Sequence, residues 1–551
     1  MNEFQKPEVT LEDVRPYFPL SKPRPGQLEA CQTIIQAYLD GHTDVIVDAP
    51  TGTGKSAIAV CVSRFLSEKW SWEGFITTPL KTLQNQYDND AMLCDYFTMI
   101  KGRNAYPCSL AHLIGKMKGY ETADEEGYHR HYCSEVPGGA AKSIRARCKD
   151  TGTCEFYDRL DAAINSRVVL NNTSTLIYQQ QPFAPFFEHR DFVIMDECHQ
   201  AENTIMGMFS FTVNEQFMKR HGLWTQVPPL REGESIDPNS TLVRGMLTSL
   251  KTELETYPVD DLDEKKRHQI ESMLRNINTF SIDPTTWVCD TSKAEYTFKP
   301  LYPSDFAYYV TAKATKLRVF MSATILDHVA FAESMDLDMN KVKYIRLPST
   351  FPVQNSPVFH MTKFGITSLN YKELDVNLPK VVAAVDEILS KYPNCKGIIH
   401  THTNKIANHL QANCKLSTRM MTHTTYNRED VLKRFMETKQ PMVLVSPSMV
   451  EGIDLKDEYG RFQIIVKVPY PFLGDAQIKA RTQRDPNWYQ WKTTLAIVQA
   501  CGRIMRHEKD WGHTYVLDPD FLRWARVAKD ILPEHFKKSV KWHCNEIKGP
   551  Q

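Results

Sequence analysis

The chain has 551 residues, too many for one hydrophobic core, so it divides into three or four domains. Hydrophobic content of 42% is ordinary for a globular protein, and 66 Lys plus Arg balance 66 Asp plus Glu. Zero net charge argues against a basic tail or a polybasic membrane anchor, while leaving room for a local basic groove that binds nucleic acid.

The N-terminus, Met1-Asn2-Glu3-Phe4-Gln5-Lys6, lacks a signal-peptide apolar region, and no apolar run reaches bilayer length. The expectation is an intracellular protein, cytoplasmic or nuclear, with no membrane partner. Thirteen cysteines in a reducing compartment are not a disulfide framework. Most are expected to be small buried hydrophobes, and a spaced subset can bind metal.

Val45-Ile46-Val47 reads as a buried strand, followed by Asp48-Ala49-Pro50-Thr51-Gly52-Thr53-Gly54-Lys55-Ser56 and the helical start Ala57-Ile58-Ala59-Val60. A glycine-rich loop between strand and helix points backbone N–H groups at a phosphate, and the helix N-terminus adds positive partial charge. Thr51, Gly52, Thr53, Gly54, Lys55 and Ser56 are the expected cradle. Lys55 reaches the β- and γ-phosphates of ATP, and the Ser56 hydroxyl ligates Mg²⁺. Ala49 stands where the strict pattern has its first glycine.

Four cysteines follow, Cys108, Cys133, Cys148 and Cys154, in a long segment. Four thiolates suit an iron–sulfur cluster or zinc, and the spacing lacks the two close pairs of a zinc ribbon. Cys94, Cys198 and Cys501 are read as structural. The strand Arg167-Val168-Val169-Leu170 precedes Phe192-Val193-Ile194-Met195-Asp196-Glu197-Cys198-His199, an apolar strand ending in two acids. At the carboxyl edge of a parallel sheet, Asp196 is placed to hold Mg²⁺ and Glu197 to orient and deprotonate water.

Several segments in order resemble superfamily 2 helicase motifs. Asp196-Glu197-Cys198-His199 resembles the second motif, where the third position is more often Ala. Arg24-Pro25-Gly26-Gln27 resembles the element whose glutamine, here Gln27, reads the adenine edge. Thr77-Thr78-Pro79-Leu80-Lys81-Thr82-Leu83-Gln84 resembles motif Ia, and Ser322-Ala323-Thr324 the motif coupling the ATP site to the nucleic-acid groove. Lys396 to Thr403 resembles the opening of the second motor lobe. Val445 to Leu455 resembles motif V, with Gly452 and Asp454 in its core. Gln499-Ala500-Cys501-Gly502-Arg503-Ile504-Met505-Arg506 resembles motif VI. Gln499, Arg503 and Arg506 would then act on the γ-phosphate from the second lobe, with both arginines on one helix face.

The lead-in Lys101-Gly102-Arg103-Asn104-Ala105-Tyr106-Pro107-Cys108 and the exit Cys148-x5-Cys154-Glu155-Phe156-Tyr157 resemble the iron–sulfur helicases of the XPD and DinG family. The resemblance implies a [4Fe-4S] cluster on Cys108, Cys133, Cys148 and Cys154. It implies an α/β fold of two RecA-like doubly wound parallel-sheet lobes, the first interrupted by the cysteine-bearing domain and a mainly helical arch-like insertion. The expected divisions are 1–100, 161–204 and 306–345 for lobe 1, 101–160 for the cluster insertion, 205–305 for the arch and 346–551 for lobe 2. The implied activity is ATP-dependent unwinding of duplex DNA, 5′→3′, by a monomer translocating on single-stranded DNA and engaging duplex/single-strand junctions. Thr78, Thr403 and Ser446 would grip the strand backbone. An RNA helicase and an ATP-binding scaffold are the competing readings. The cysteine insertion points to DNA, and intact Glu197, Arg503 and Arg506 oppose the scaffold. The chain is more compact than many cellular relatives, which fits a viral genome.

Overall fold

The computed structural model describes the chain apart from residues 1–6, 103–104, 107–153, 179–186, 260–261, 263, 313, 350, 425, 448–454, 456, 506–507 and 551. Strands β1 (Asp44–Asp48), β2 (Gly74–Thr78), β3 (Thr98–Met99), β4 (Val168–Asn172) and β5 (Arg190–Asp196) come first. Then β6 (Phe211–Val213), β7 (Trp287–Asp290) and β8 (Tyr296–Pro300) form a small antiparallel sheet. β9 (Ala314–Ser322) and β10 (Val342–Arg346) return to the first sheet, whose order is β10-β1-β9-β5-β2-β4-β3, all parallel. β11 (Val358–Met361), β12 (Gly397–His400), β13 (Met420–Thr422), β14 (Val443–Ser446), β15 (Phe462–Ile465), β16 (His513–Val516) and β17 (Val540–Cys544) make a second parallel sheet, ordered β13-β14-β12-β15-β16-β11-β17.

Parallel sheets carry helices on both faces, so their central strands are apolar throughout. Val45, Ile46 and Val47 of β1 are fully buried, as are Ile398 and Ile399 of β12. The crossover order makes β1, β9 and β5 neighbours. Their register pairs Asp48 with Ser322 and Asp196 with Met321, so three loops leave one carboxyl edge side by side. That edge is where open α/β folds bind ligands.

Between β5 and β9 stand the helices Ala201–Phe209, Glu215–His221, Thr241–Glu255, Glu264–Ile282 and Tyr308–Thr311, with the antiparallel sheet. The sheet was not part of the expectation of a mainly helical insertion. Its residues alternate in burial along β8, and Phe211 stacks on its cross-strand partner Phe298 with ring centroids 4.8 Å apart. Such aromatic pairs stabilise two-faced sheets. Among the described residues, no helix is long and apolar enough to cross a membrane.

Candidate nucleotide site between two lobes

The loop after β1 turns through two left-handed glycines, Gly52 (φ +85°) and Gly54 (φ +77°), before the helix Lys55–Arg64 begins. No side chain caps that helix at Gly54. A helix start without a side-chain cap suits an anion. Gln27, 1% exposed, donates from Nε2 to the carbonyls of Thr53 (2.7 Å) and Gly54 (3.3 Å), and its Oε1 accepts from the Arg24 N–H at 2.6 Å. Both ends of this amide are engaged with protein. Gln27 thus braces the phosphate loop. Arg24 reaches the Gly52 carbonyl from the same element.

Lys55 Nζ lies 3.3 Å from Glu197 Oε1, joining the loop to the end of β5. Glu197 is in the left-handed region (φ +52°), uncommon for a residue with a side chain, which turns the chain sharply into Cys198–Gln200. Burial alone would raise its carboxyl, but the Lys55 charge and the His199 hydrogen bond hold it well below the usual range. Asp196 is 4% exposed, and its Oδ1 accepts the Glu197 N–H at 2.9 Å. Burial and the neighbouring Glu197 charge push it up to about 6. A buried acid strained this way is suited to a divalent cation. With Ser56 at the helix start and Lys55 beside the pair, the donor set fits a Mg²⁺–triphosphate.

His199 continues outward from this centre. Its Nδ1 lies 3.3 Å from Glu197 Oε2 and 2.8 Å from the Ser322 hydroxyl at the end of β9. The Ser322 hydroxyl accepts the Thr324 N–H at 3.2 Å, and the Thr324 hydroxyl accepts from Gln499 Nε2 at 2.9 Å. Gln499 belongs to the helix Pro486–Cys501, which packs with the second sheet. A hydrogen-bonded chain therefore runs from Glu197 to the second lobe.

That helix stops at Cys501, and Gly502–Ile504 is a 3₁₀ turn. Arg503 sits on this turn, not on a helix face as the three-residue spacing suggested, because the chain leaves the helix at Gly502. Its charge lies near His400, at the end of β12, whose imidazole is lowered to about 4 by burial first and by Arg503 second. Cys501, Gly502 and Met505 line the same cavity of about 530 Å³ as Asp48, Pro50 and Thr51. The motif VI segment and the phosphate loop thus share one cleft. Arg506, Gly452 and Asp454 lie outside the described residues.

Cys108, Cys133 and Cys148 also lie outside the described residues; Cys154 precedes the helix Glu155–Ile164 and is partly exposed. Cys198 and Cys501 are buried as expected. The hydroxyls of Thr78, Thr403 and Ser446 are engaged inside the protein, with the Leu80 carbonyl, the Ile406 N–H and His423 respectively. Each hydroxyl thus supports its own loop.

Sequence motifs alone did not reveal Glu202, on the helix following the Asp-Glu turn. It is 5% exposed and accepts from Arg481, from Trp488 Nε1 at 3.1 Å and from Lys492 Nζ at 3.3 Å, all from the second lobe. Burial would raise its carboxyl, but the Lys492 and Arg481 charges hold it low. Lys299 of β8 likewise bridges Asp290 and Asp475. Apart from Asp290 and Lys299 on paired strands, these partners are far apart in sequence, so no local signal marks them.

The family model described as "Helicase C-terminal domain" matches residues 399–539, and that described as "Type III restriction enzyme, res subunit" matches 20–220. A regulator of telomere elongation helicase 1 homolog from Caenorhabditis elegans is 28% identical over 106 residues, 16% of this chain and 10% of that protein. A Fanconi anemia group J protein homolog from Gallus gallus is 30% identical over 107 residues, 17% and 8% of the two chains. A solved XPD helicase aligns with a TM-score of 0.61 at 15% identity, covering 95% of this chain and all of the other. S. tokodaii Xpd4 gives 0.59 at 12% identity, with the same coverage. The chain thus matches two family models over separate regions and shares the fold of solved XPD helicases. The alignments span about a tenth of the length of the curated relatives.

Proposed function

We propose that this protein is an ATP-dependent DNA helicase that moves 5′→3′ on single-stranded DNA and carries a structural [4Fe-4S] cluster. The observation that carries the ATPase reading is the 3.3 Å approach of Lys55 to Glu197, which joins two motifs from distant parts of the chain at one sheet edge. The phosphate loop grips the triphosphate through its N–H groups and Lys55, and Ser56 and Asp196 hold Mg²⁺. Bound Mg²⁺ neutralises charge on the phosphates. As Lys55 turns to the phosphates, it releases Glu197 to orient the attacking water and accept its proton. Arg503, with Arg506, supplies positive charge from the second lobe.

DNA as the polymer, the polarity and the cluster rest on the family resemblance and on the cysteine set. In this reading Cys154, partly exposed at a helix start, joins Cys108, Cys133 and Cys148 in fixing a small domain that wedges the strands apart. The test compares ATP hydrolysis with single-stranded DNA and with RNA, in the wild type and in Glu197→Gln. The expected result is hydrolysis stimulated by DNA and abolished in E197Q with nucleotide binding retained. Stronger stimulation by RNA would reassign the polymer, and undiminished hydrolysis in E197Q would overturn the site.

A further inference from the structure

The helix Lys81–Asn89 leaves the end of β2 just after Thr77 and Thr78, and it carries Tyr87 into the nucleotide site. The ring is 2% exposed and packs edge-on against Phe97, with centroids 6.0 Å apart. Its hydroxyl donates to Asp196 Oδ2 at 2.9 Å. The other Asp196 oxygen already accepts the Glu197 N–H. Both carboxylate oxygens are therefore oriented, one by backbone and one by a buried phenol. The Ser56 hydroxyl neighbours the same phenol. One tyrosine thus stands between the two side chains assigned to Mg²⁺. Partners that hold a metal ligand in one orientation are commonly worth ten- to a hundredfold in metal affinity.

We propose that Tyr87 is a positioning residue, whose phenol holds Asp196 in the orientation that takes Mg²⁺ with the nucleotide. This rests on the nucleotide-site reading above. A tyrosine whose role is packing alone would need its ring and not its hydroxyl. The phenol is nonetheless aimed at a carboxylate rather than at solvent or a backbone carbonyl, and it is the side-chain donor to that oxygen among the described residues.

The test measures the affinity of a fluorescent N-methylanthraniloyl ADP for the full chain, in EDTA and across a Mg²⁺ titration, alongside the melting temperature. Tyr87→Phe keeps the ring and removes the hydroxyl. It is expected to match the wild type in EDTA and to need on the order of 10-fold more Mg²⁺ for half the metal-dependent gain. Phe97→Leu loosens the seat of the ring and keeps the hydroxyl, so it is expected to retain the wild-type Mg²⁺ midpoint. An unchanged midpoint in Y87F overturns the proposal, as does an equal weakening in EDTA. A shift in F97L, whether or not Y87F folds, assigns the effect to packing and also overturns it. A wild type that binds no ADP would instead sink the nucleotide-site reading.

Discussion

Glu202 offers a direct measure of how firmly the two lobes are joined. Glu202→Gln keeps the shape and removes the charge, leaving Arg481 and Lys492 facing each other at a joint where Arg481 is only 5% exposed. At the 3.3 Å separation of Lys492 and an effective dielectric of about 20, the lost attraction is about 5 kcal/mol before solvation is counted. Removing one partner of a buried pair costs about 3–5 kcal/mol net, because the remaining charge stays desolvated. The assay is urea unfolding followed by tryptophan fluorescence, since Trp488 donates to Glu202 and reports on this joint. A double-mutant cycle with Arg481→Gln should give a coupling of about 2–4 kcal/mol, since contacting charges are not additive. The pH dependence has a fixed sign. The folded Glu202 pKa is depressed, so its contribution is complete above the unfolded value near ~4.3 and is lost as pH falls through the folded value. The gap between wild type and E202Q should be flat from neutrality down to about pH 5 and should close in more acid solution. Additivity within about 0.5 kcal/mol in the cycle, or a gap that widens on acidification, would refute the reasoning.

Gly52→Ala should weaken ATP binding by at least tenfold in the same fluorescence titration. The new Cβ would overlap the Phe351 ring, and the left-handed φ of +85° costs a side-chain residue about 1–2 kcal/mol; wild-type affinity would contradict both arguments. Anaerobically purified protein should be yellow-brown and hold about four iron atoms per chain, as one cluster of this type requires. Colourless protein containing zinc would remove the cluster.

The nucleotide motifs are legible in the sequence because their chemistry is local. A phosphate loop needs Gly52, Gly54, Lys55 and Ser56 in one short run, and both glycines take the left-handed backbone that such a turn requires. Gln27 shows the limit of the same logic: its spacing to the loop is readable, but what its amide touches depends on how the helix Gln27–Leu39 packs beside Thr53. Arg503 shows another limit, since a three-residue spacing suggests one helix face only while the helix continues, and it ends at Cys501. The charged run Leu262 to Arg267 opens the helix Glu264–Ile282, whereas the alternation Tyr296-Thr297-Phe298-Lys299-Pro300 marks β8. Tyr87 and Glu202 carry no motif at all. Each is ordinary in its own helix and acquires meaning only from Asp196, Arg481 and Lys492, which chain topology brings close.

Topology also explains why nucleotide chemistry at Glu197 would be felt by the second lobe. Two connections leave the same turn after β5. One passes through His199, Ser322 and Thr324 to Gln499. The other is the Glu202 cluster on the helix that the turn begins. Phosphates would compete with Glu197 for Lys55, and any reorientation of Glu197 loads a turn already held in the left-handed region. Because His199 bonds both Glu197 and Ser322, that load reaches the lobe boundary through hydrogen bonds whose lengths tolerate little stretch. The Glu202 cluster resists separation, so the expected response is a pivot of the second lobe about Glu202 rather than a parting of the lobes.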